Sequence, residues 1–156
     1  MKALIWNCRG IKKKGVPSFL KDLILEHNFH FIGLQETMTK NLDDKTLRKI
    51  DPNGTYLWKW TLARGKSGGL LSGIHIDFME VGSFTEGKYI LQMDLWDKQL
   101  KTKWNFMNVY GAAQEENKRE FLAELAGFCS KNKSPFLVGG DFNIIRFSSK
   151  KVNPLG

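Results

Sequence analysis

The sequence predicts an α/β fold of two packed sheets with helices on the outside. Three observations carry that expectation. Strand–helix–strand patterns stand near both ends of the chain, and a stretch of alternating apolar and polar residues lies between them. The apolar runs end on polar groups: Asn7, Glu36, Tyr110 and the pair Asp141 and Asn143. Open α/β sheets collect their chemistry at the carboxyl ends of strands, so these endings are the first candidates for a site.

Residues 2–7 read as a short buried strand, and residues 10–15 as a basic loop. Pro17 suits the first turn of a helix, and Phe19, Leu20, Leu23, Ile24 and His27 then recur at helical spacing. Residues 30–36 make a second strand, which must run parallel to the first across such a crossover. Tyr56, Trp58 and Trp60 alternate with polar neighbours, as do Tyr89, Leu91, Met93 and Leu95, which argues for half-buried strands. Stacking of the first three on bases is the other reading of those rings, and core packing explains them without a ligand. The segment from Gly68 to Phe84 reads as two more strands turning near Asp77, and residues 98–101 as a hairpin tip. The middle is thus expected to be an antiparallel meander. A strand from Trp104 to Tyr110 follows. A helix carries Phe121, Leu125, Phe128 and Cys129 on one face, and Pro135 to Val138 reads as a short buried strand. In extended backbone Asp141 and Asn143 point the same way, and Phe142 points into the core.

A chain of 156 residues is one domain by length. The expected division is a domain over residues 1–147 and a loop-like tail over 148–156. The net charge of +8 favours an anionic partner such as nucleic acid, with a merely solubilising surface as the alternative. No stretch has the roughly 18 consecutive apolar residues of a membrane span, and no membrane partner is expected. The N-terminus lacks a signal-peptide pattern. Cys8 and Cys129 make neither a disulfide framework nor a metal set and read as core thiols, so an intracellular location, nuclear or cytoplasmic, is expected.

If both sets of strand ends face one cleft, Asn7, Glu36, Tyr110, Asp141 and Asn143 converge. Glu36 then suits a hard divalent cation, since magnesium takes one or two protein carboxylates plus water and phosphate. Asn7 can fix that carboxylate or a water. Asp141 can orient or deprotonate an attacking water. Asn143 and Tyr110 can donate to phosphate oxygens. The set suggests metal-assisted hydrolysis of a phosphate ester. Each residue alone has a plainer reading. A Glu ending a strand is often just solvated, and Asp-x-Asn is often a turn. Asn7 can simply satisfy backbone groups, and Tyr110 can cap a core strand.

Trp6-Asn7-Cys8-Arg9-Gly10, Leu34-Gln35-Glu36-Thr37, Ser67-Gly68-Gly69-Leu70, Val109-Tyr110-Gly111 and Gly139-Gly140-Asp141-Phe142-Asn143 resemble the endonuclease/exonuclease/phosphatase superfamily. They are most similar to the apurinic-endonuclease-like domain of plant LINE-type retrotransposons. The resemblance covers nearly the whole chain in the right order. It implies a four-layer α/β/β/α sandwich of the deoxyribonuclease-I type, incomplete at its C-terminal end, and a phosphodiesterase using Mg²⁺ or Mn²⁺. It places Asn7 and Glu36 at the metal, Tyr110 at the phosphate, and Asp141 and Asn143 at the attacking water. Gly140 would let backbone approach the cleft closely. Arg9, Lys12, Lys13 and Lys14 would flank a groove for nucleic acid, DNA being the expected partner, with a solvated loop as the plainer reading.

Members of that superfamily continue past Gly-Asp-Phe-Asn to a Ser-Asp-His segment, which the 156 residues lack. His27, His30 and His75 read as structural. Loss of a positioned acid–base group costs about 10²–10⁴ in rate, so impaired catalysis is expected. Uncovered sheet edges would permit self-association. The alternatives are a non-catalytic nucleic-acid-binding remnant of a retrotransposon protein and a phosphatase of the same superfamily.

Overall fold

The computed structural model describes residues 1–63 and 68–143. Strand β1 (Ala3–Asn7), helix α1 (Val16–His27) and strand β2 (Phe31–Gln35) form the first crossover unit. Helix α2 (Asp44–Ile50) and strands β3 (Tyr56–Thr61), β4 (Leu70–His75), β5 (Met79–Glu86) and β6 (Ile90–Asp97) follow. Strand β7 (Thr102–Tyr110), helix α3 (Lys118–Lys131) and strand β8 (Phe136–Asp141) form the second unit, with a 3₁₀ turn at Glu115–Asn117.

The strands make two sheets of four, ordered β1-β2-β4-β3 and β5-β6-β7-β8. β1 pairs parallel to β2, and β7 pairs parallel to β8, as the two crossovers require. The sheets pack face to face, with β1 over β8 and β2 over β7. Both pairs of parallel strands therefore end at neighbouring tips.

Three apolar cores fill the gaps between four layers. Leu20, Ile24 and Ile50 pack from the helices onto Ile32, Leu34 and Leu71 of the first sheet. Phe31, Ile74, Met93 and Phe106 meet between the sheets. Phe121 of α3 packs on Ile90, Met107 and Val109 of the second sheet. Strand alternation explains the division in β2: Ile32 and Leu34 point to the helices, and Phe31 points to the other sheet. Each such fully buried side chain contributes about 1.5–3 kcal/mol. Gly33 lies between the sheets because a Cβ there would stand 3.0 Å from the Phe106 ring. The structure is thus the α/β/β/α arrangement the sequence implies.

Three readings need correction. The middle of the chain is not one meander. β4 pairs with β2 and β3 in the first sheet, while β5 pairs with β6 in the second, so the bend near Asp77 carries the chain between sheets. Helix α2 lies where no element was expected. Asp43 caps it by accepting from the Thr46 amide and hydroxyl at 2.9 and 2.8 Å. Finally, extended backbone stops at Asp141. Asn143 has φ 52° and turns back instead of continuing the strand. Phe142 does pack onto the core beneath α3. Ser67 of the Ser-Gly-Gly piece and the tail over 148–156 lie outside the described residues.

Candidate active site at the strand tips

Glu36 follows β2 directly and leaves the strand with φ 53°, a left-handed conformation that costs a glutamate about 1–3 kcal/mol. Its surroundings hold it there. The Gly10 amide donates to the Glu36 carbonyl at 2.7 Å. The Thr37 and Met38 amides donate to the Gly69 and Gly68 carbonyls at 3.3 and 2.6 Å. Gly68 lies so close that a Cβ on it would stand 2.7 Å from the Glu36 Cα. The Gly68-Gly69 pair is therefore the platform under Glu36, a role the sequence reading did not give it.

At the neighbouring tips the two sheets are joined by side chains. The Asn7 amide Nδ2 donates to Asp141 Oδ2 at 2.9 Å. The other Asp141 oxygen accepts from the Asn143 backbone amide at 3.0 Å. Asn143 Nδ2 donates to the Gly111 carbonyl at 2.8 Å, and the Gly111 amide donates back to the Asp141 carbonyl at 2.6 Å. Asp141 is thus oriented from three sides. Gly140, with φ 149°, makes its close approach to the Val109 carbonyl of the adjacent strand.

The Tyr110 hydroxyl donates to Glu36 Oε1 across the cleft. Burial, and then the Glu36 carboxylate, push the phenol up to about 12, so it stays protonated at neutral pH. Tyr110 stands opposite Asp141 in the pairing of β7 with β8, and the Asp141 charge acts on its phenol. Arg9 Nε stands 3.8 Å from Glu36 Oε2, with its side chain 79% exposed, so the pair is weak. All five strand-tip residues named from the sequence are therefore linked into one cluster. In this arrangement the Tyr110 O–H faces Glu36, and one Asn143 N–H faces the Gly111 carbonyl.

A buried polar network supports the cluster. Gln35 Nε2 donates to Asn108 Oδ1 at 2.8 Å. Asn108 Nδ2 reaches the Leu34 and Leu71 carbonyls and the Ser72 hydroxyl at 3.0–3.2 Å. Asn108 is fully buried two residues before Tyr110, and Gln35 immediately precedes Glu36. These bonds clamp the two sheets together just beneath the site. Polar residues inside an otherwise apolar strand were the available signal.

Cys8, Cys129 and His75 are packed into the fold. Cys8 is buried, burial pushes its thiol up, and it bonds the Gln35 carbonyl at 3.4 Å. Cys129, on α3, packs against the same core as Phe121. His75 accepts at Nδ1 from the Asp77 amide at 3.2 Å, so Nε2 carries the proton toward Asn28 Oδ1 at 2.8 Å. Burial lowers its pKa.

Whether the cluster fits a cation turns on Asn7. A carboxylate can only accept, so the Asn7 nitrogen must face Asp141 and the oxygen must face away. That Oδ1 is buried and, among the described residues, has no hydrogen-bond partner. An orphaned buried acceptor costs about 1–3 kcal/mol unless something meets it. Among the described residues no three His, Cys, Asp or Glu side chains gather into a metal-binding group. An amide oxygen with one carboxylate is nonetheless a donor set suited to a hard cation that keeps several waters. The residues fit such an ion.

Comparison with curated proteins finds no match. Solved structures share the fold. The AP endonuclease LMAP from Leishmania major superposes with a TM-score of 0.64 at 18% identity, over 97% of this chain and 58% of that one. The catalytic domain of Xenopus laevis APE2 gives 0.66 at 15% identity, over 99% and 62%. D. rerio TDP2 complexed with a single-strand DNA product gives 0.67 at 10% identity, over 93% and 61%. The chain thus spans about three-fifths of the length of these proteins. The model of the endonuclease/exonuclease/phosphatase family matches residues 4–155, and the chain belongs to that family.

Proposed function

We propose that the strand-tip cluster serves metal-assisted hydrolysis of a nucleic-acid phosphodiester, with DNA as the substrate. The orphaned Asn7 oxygen carries this reading, because it is a buried acceptor on the same amide whose nitrogen orients the Asp141 carboxylate. Asn7 Oδ1 and Glu36 would hold Mg²⁺ or Mn²⁺. Such an ion polarises a phosphoryl oxygen and lowers the pKa of water. Asp141, fixed by Asn7 and the Asn143 amide, accepts the proton of the attacking water. Tyr110 keeps its proton and orients Glu36. Asn143 donates to developing charge on the phosphate. The DNA partner of the TDP2 complex and the AP endonuclease among the similar structures support the substrate class. The motif order supports kinship with the nuclease domain of plant LINE-type retrotransposons.

The test is magnesium- or manganese-dependent nicking of supercoiled plasmid. Loss of nicking in Glu36→Gln and in Asp141→Asn, with folding retained, is the expected result. Nicking indifferent to chelator and to both substitutions would overturn the reading. Salt-sensitive binding without any nicking would select the second reading, a non-catalytic nucleic-acid-binding module, which the basic loop favours on its own.

A further inference from the structure

Beside the strand-tip cluster lies a groove of about 510 Å³ between the start of α1 and the end of α2. Six cations line it: Lys12, Lys13, Lys14, Lys21, Arg48 and Lys49. No carboxylate is among its lining residues. Lys14, Lys21, Arg48 and Lys49 form no ion pair among the described residues. Asp43, whose carboxylate is acted on by Lys12, is turned to cap α2. Lys12 is itself anchored, donating to the Asn41 carbonyl at 2.8 Å.

Gathering six like charges on one concave surface is unfavourable at separations below the Debye length of about 8 Å at physiological salt. A solubilising role would spread them apart. The groove also collects the start of α1, whose cap residue Gly15 supplies no side-chain acceptor and whose first turn has no acid. The positive end of the α1 dipole adds to that field.

The groove is tied to the site by backbone. The Gly10 amide bonds the Glu36 carbonyl, the Ile11 amide bonds the Thr37 carbonyl at 3.0 Å, and Ile11 is fully buried. Lys12 follows directly, so the groove begins within roughly 11 Å of chain from Glu36. Arg48 and Lys49 lie on the far side of the groove from this loop.

We propose that Lys21, Arg48 and Lys49, together with the 12–14 loop, hold backbone phosphates of nucleic acid several nucleotides away from the bond at the strand tips. The proposal rests on the phosphodiesterase reading for its substrate class and extends it to a longer footprint. Recognition here is of phosphate alone and carries no base sequence.

The experiment measures fluorescence anisotropy of a labelled duplex of about thirty base pairs against salt, in chelator, with wild type and with the triple variant Lys21→Gln, Arg48→Gln, Lys49→Gln. None of these residues belongs to the strand-tip cluster. Each lost phosphate contact lowers the slope of log K against log salt by about 0.9, so the triple variant should lose roughly 2.7 from the slope. It should bind the long duplex about tenfold or more weakly, and cleave a short duplex spanning only the strand tips as wild type does. Equal slopes in a folded variant, checked by circular dichroism, would overturn the proposal. So would wild-type binding to phosphatidylserine vesicles without binding to duplex. A reduced slope in a protein that never nicks would sustain the groove and sink the hydrolytic reading instead.

Discussion

Asn7 and Asp141, 134 positions apart, meet through one hydrogen bond that ties the tip of β1 in the first sheet to the tip of β8 in the second. The bond fixes which way the Asn7 amide points and leaves its oxygen buried without a donor among the described residues. Magnesium or manganese at about a hundredfold excess over its Kd should therefore stabilise the wild type by about 2.7 kcal/mol. Asn7→Ala should lose that increment. Thermal melts with and without chelator check this independently of any activity.

Gly68→Ala should be costly although the change is one methyl group. Its Cβ would stand 2.7 Å from the Glu36 Cα, and backbone cannot yield there without moving the carboxylate. A loss of about 1–3 kcal/mol is expected, with nicking falling further than stability does. Urea melts alongside plasmid nicking would separate the two effects.

Removing Asn108 should harm the whole sandwich. Asn108→Ala strips an acceptor from Gln35 and a donor from two carbonyls and the Ser72 hydroxyl, all buried. About 2–4 kcal/mol should be lost. The urea midpoint should fall with an unchanged m-value, since the surface exposed on unfolding stays the same.

One buried phenol and one half-buried phenol set the alkaline limit. Tyr56 and Tyr110 are each pushed up from 10.0 to about 12, both chiefly by burial, with Asp51 and Glu36 adding to it. A raised pKa means that the neutral form is favoured in the folded state. Its contribution is complete below pH 10 and is lost as pH rises toward about 12. Melting temperature should fall across that window, together with a rise in tyrosinate absorbance. Tyr110→Phe should blunt the fall.

The crossover units were legible because each joins two apolar runs through a helical period. The run from Ala3 and the run from Phe31 allow only a parallel pair. Helix α2 was not legible from periodicity, because only Thr46 and Ile50 of its 7 residues are buried. Its signal was the Asp43 to Thr46 cap. The passage of the chain between sheets was hidden because a bend near Asp77 reads the same whether the next strand folds back or crosses over. The unbroken burial of β4, whose 6 residues are all buried, marks a central strand and was the clue to read. The strand-tip residues were found because polar groups ending apolar runs stand out. What they touch depended on register across the sandwich, which no local pattern encodes.

Because each sheet supplies only part of the cluster, a ribosome making this chain releases Asn7 long before Asp141 of β8. At about 5–20 residues per second, the 134 positions between Asn7 and Asp141 take roughly 7–27 s to synthesise. For that interval Asn7 of the nascent protein has no carboxylate opposite it.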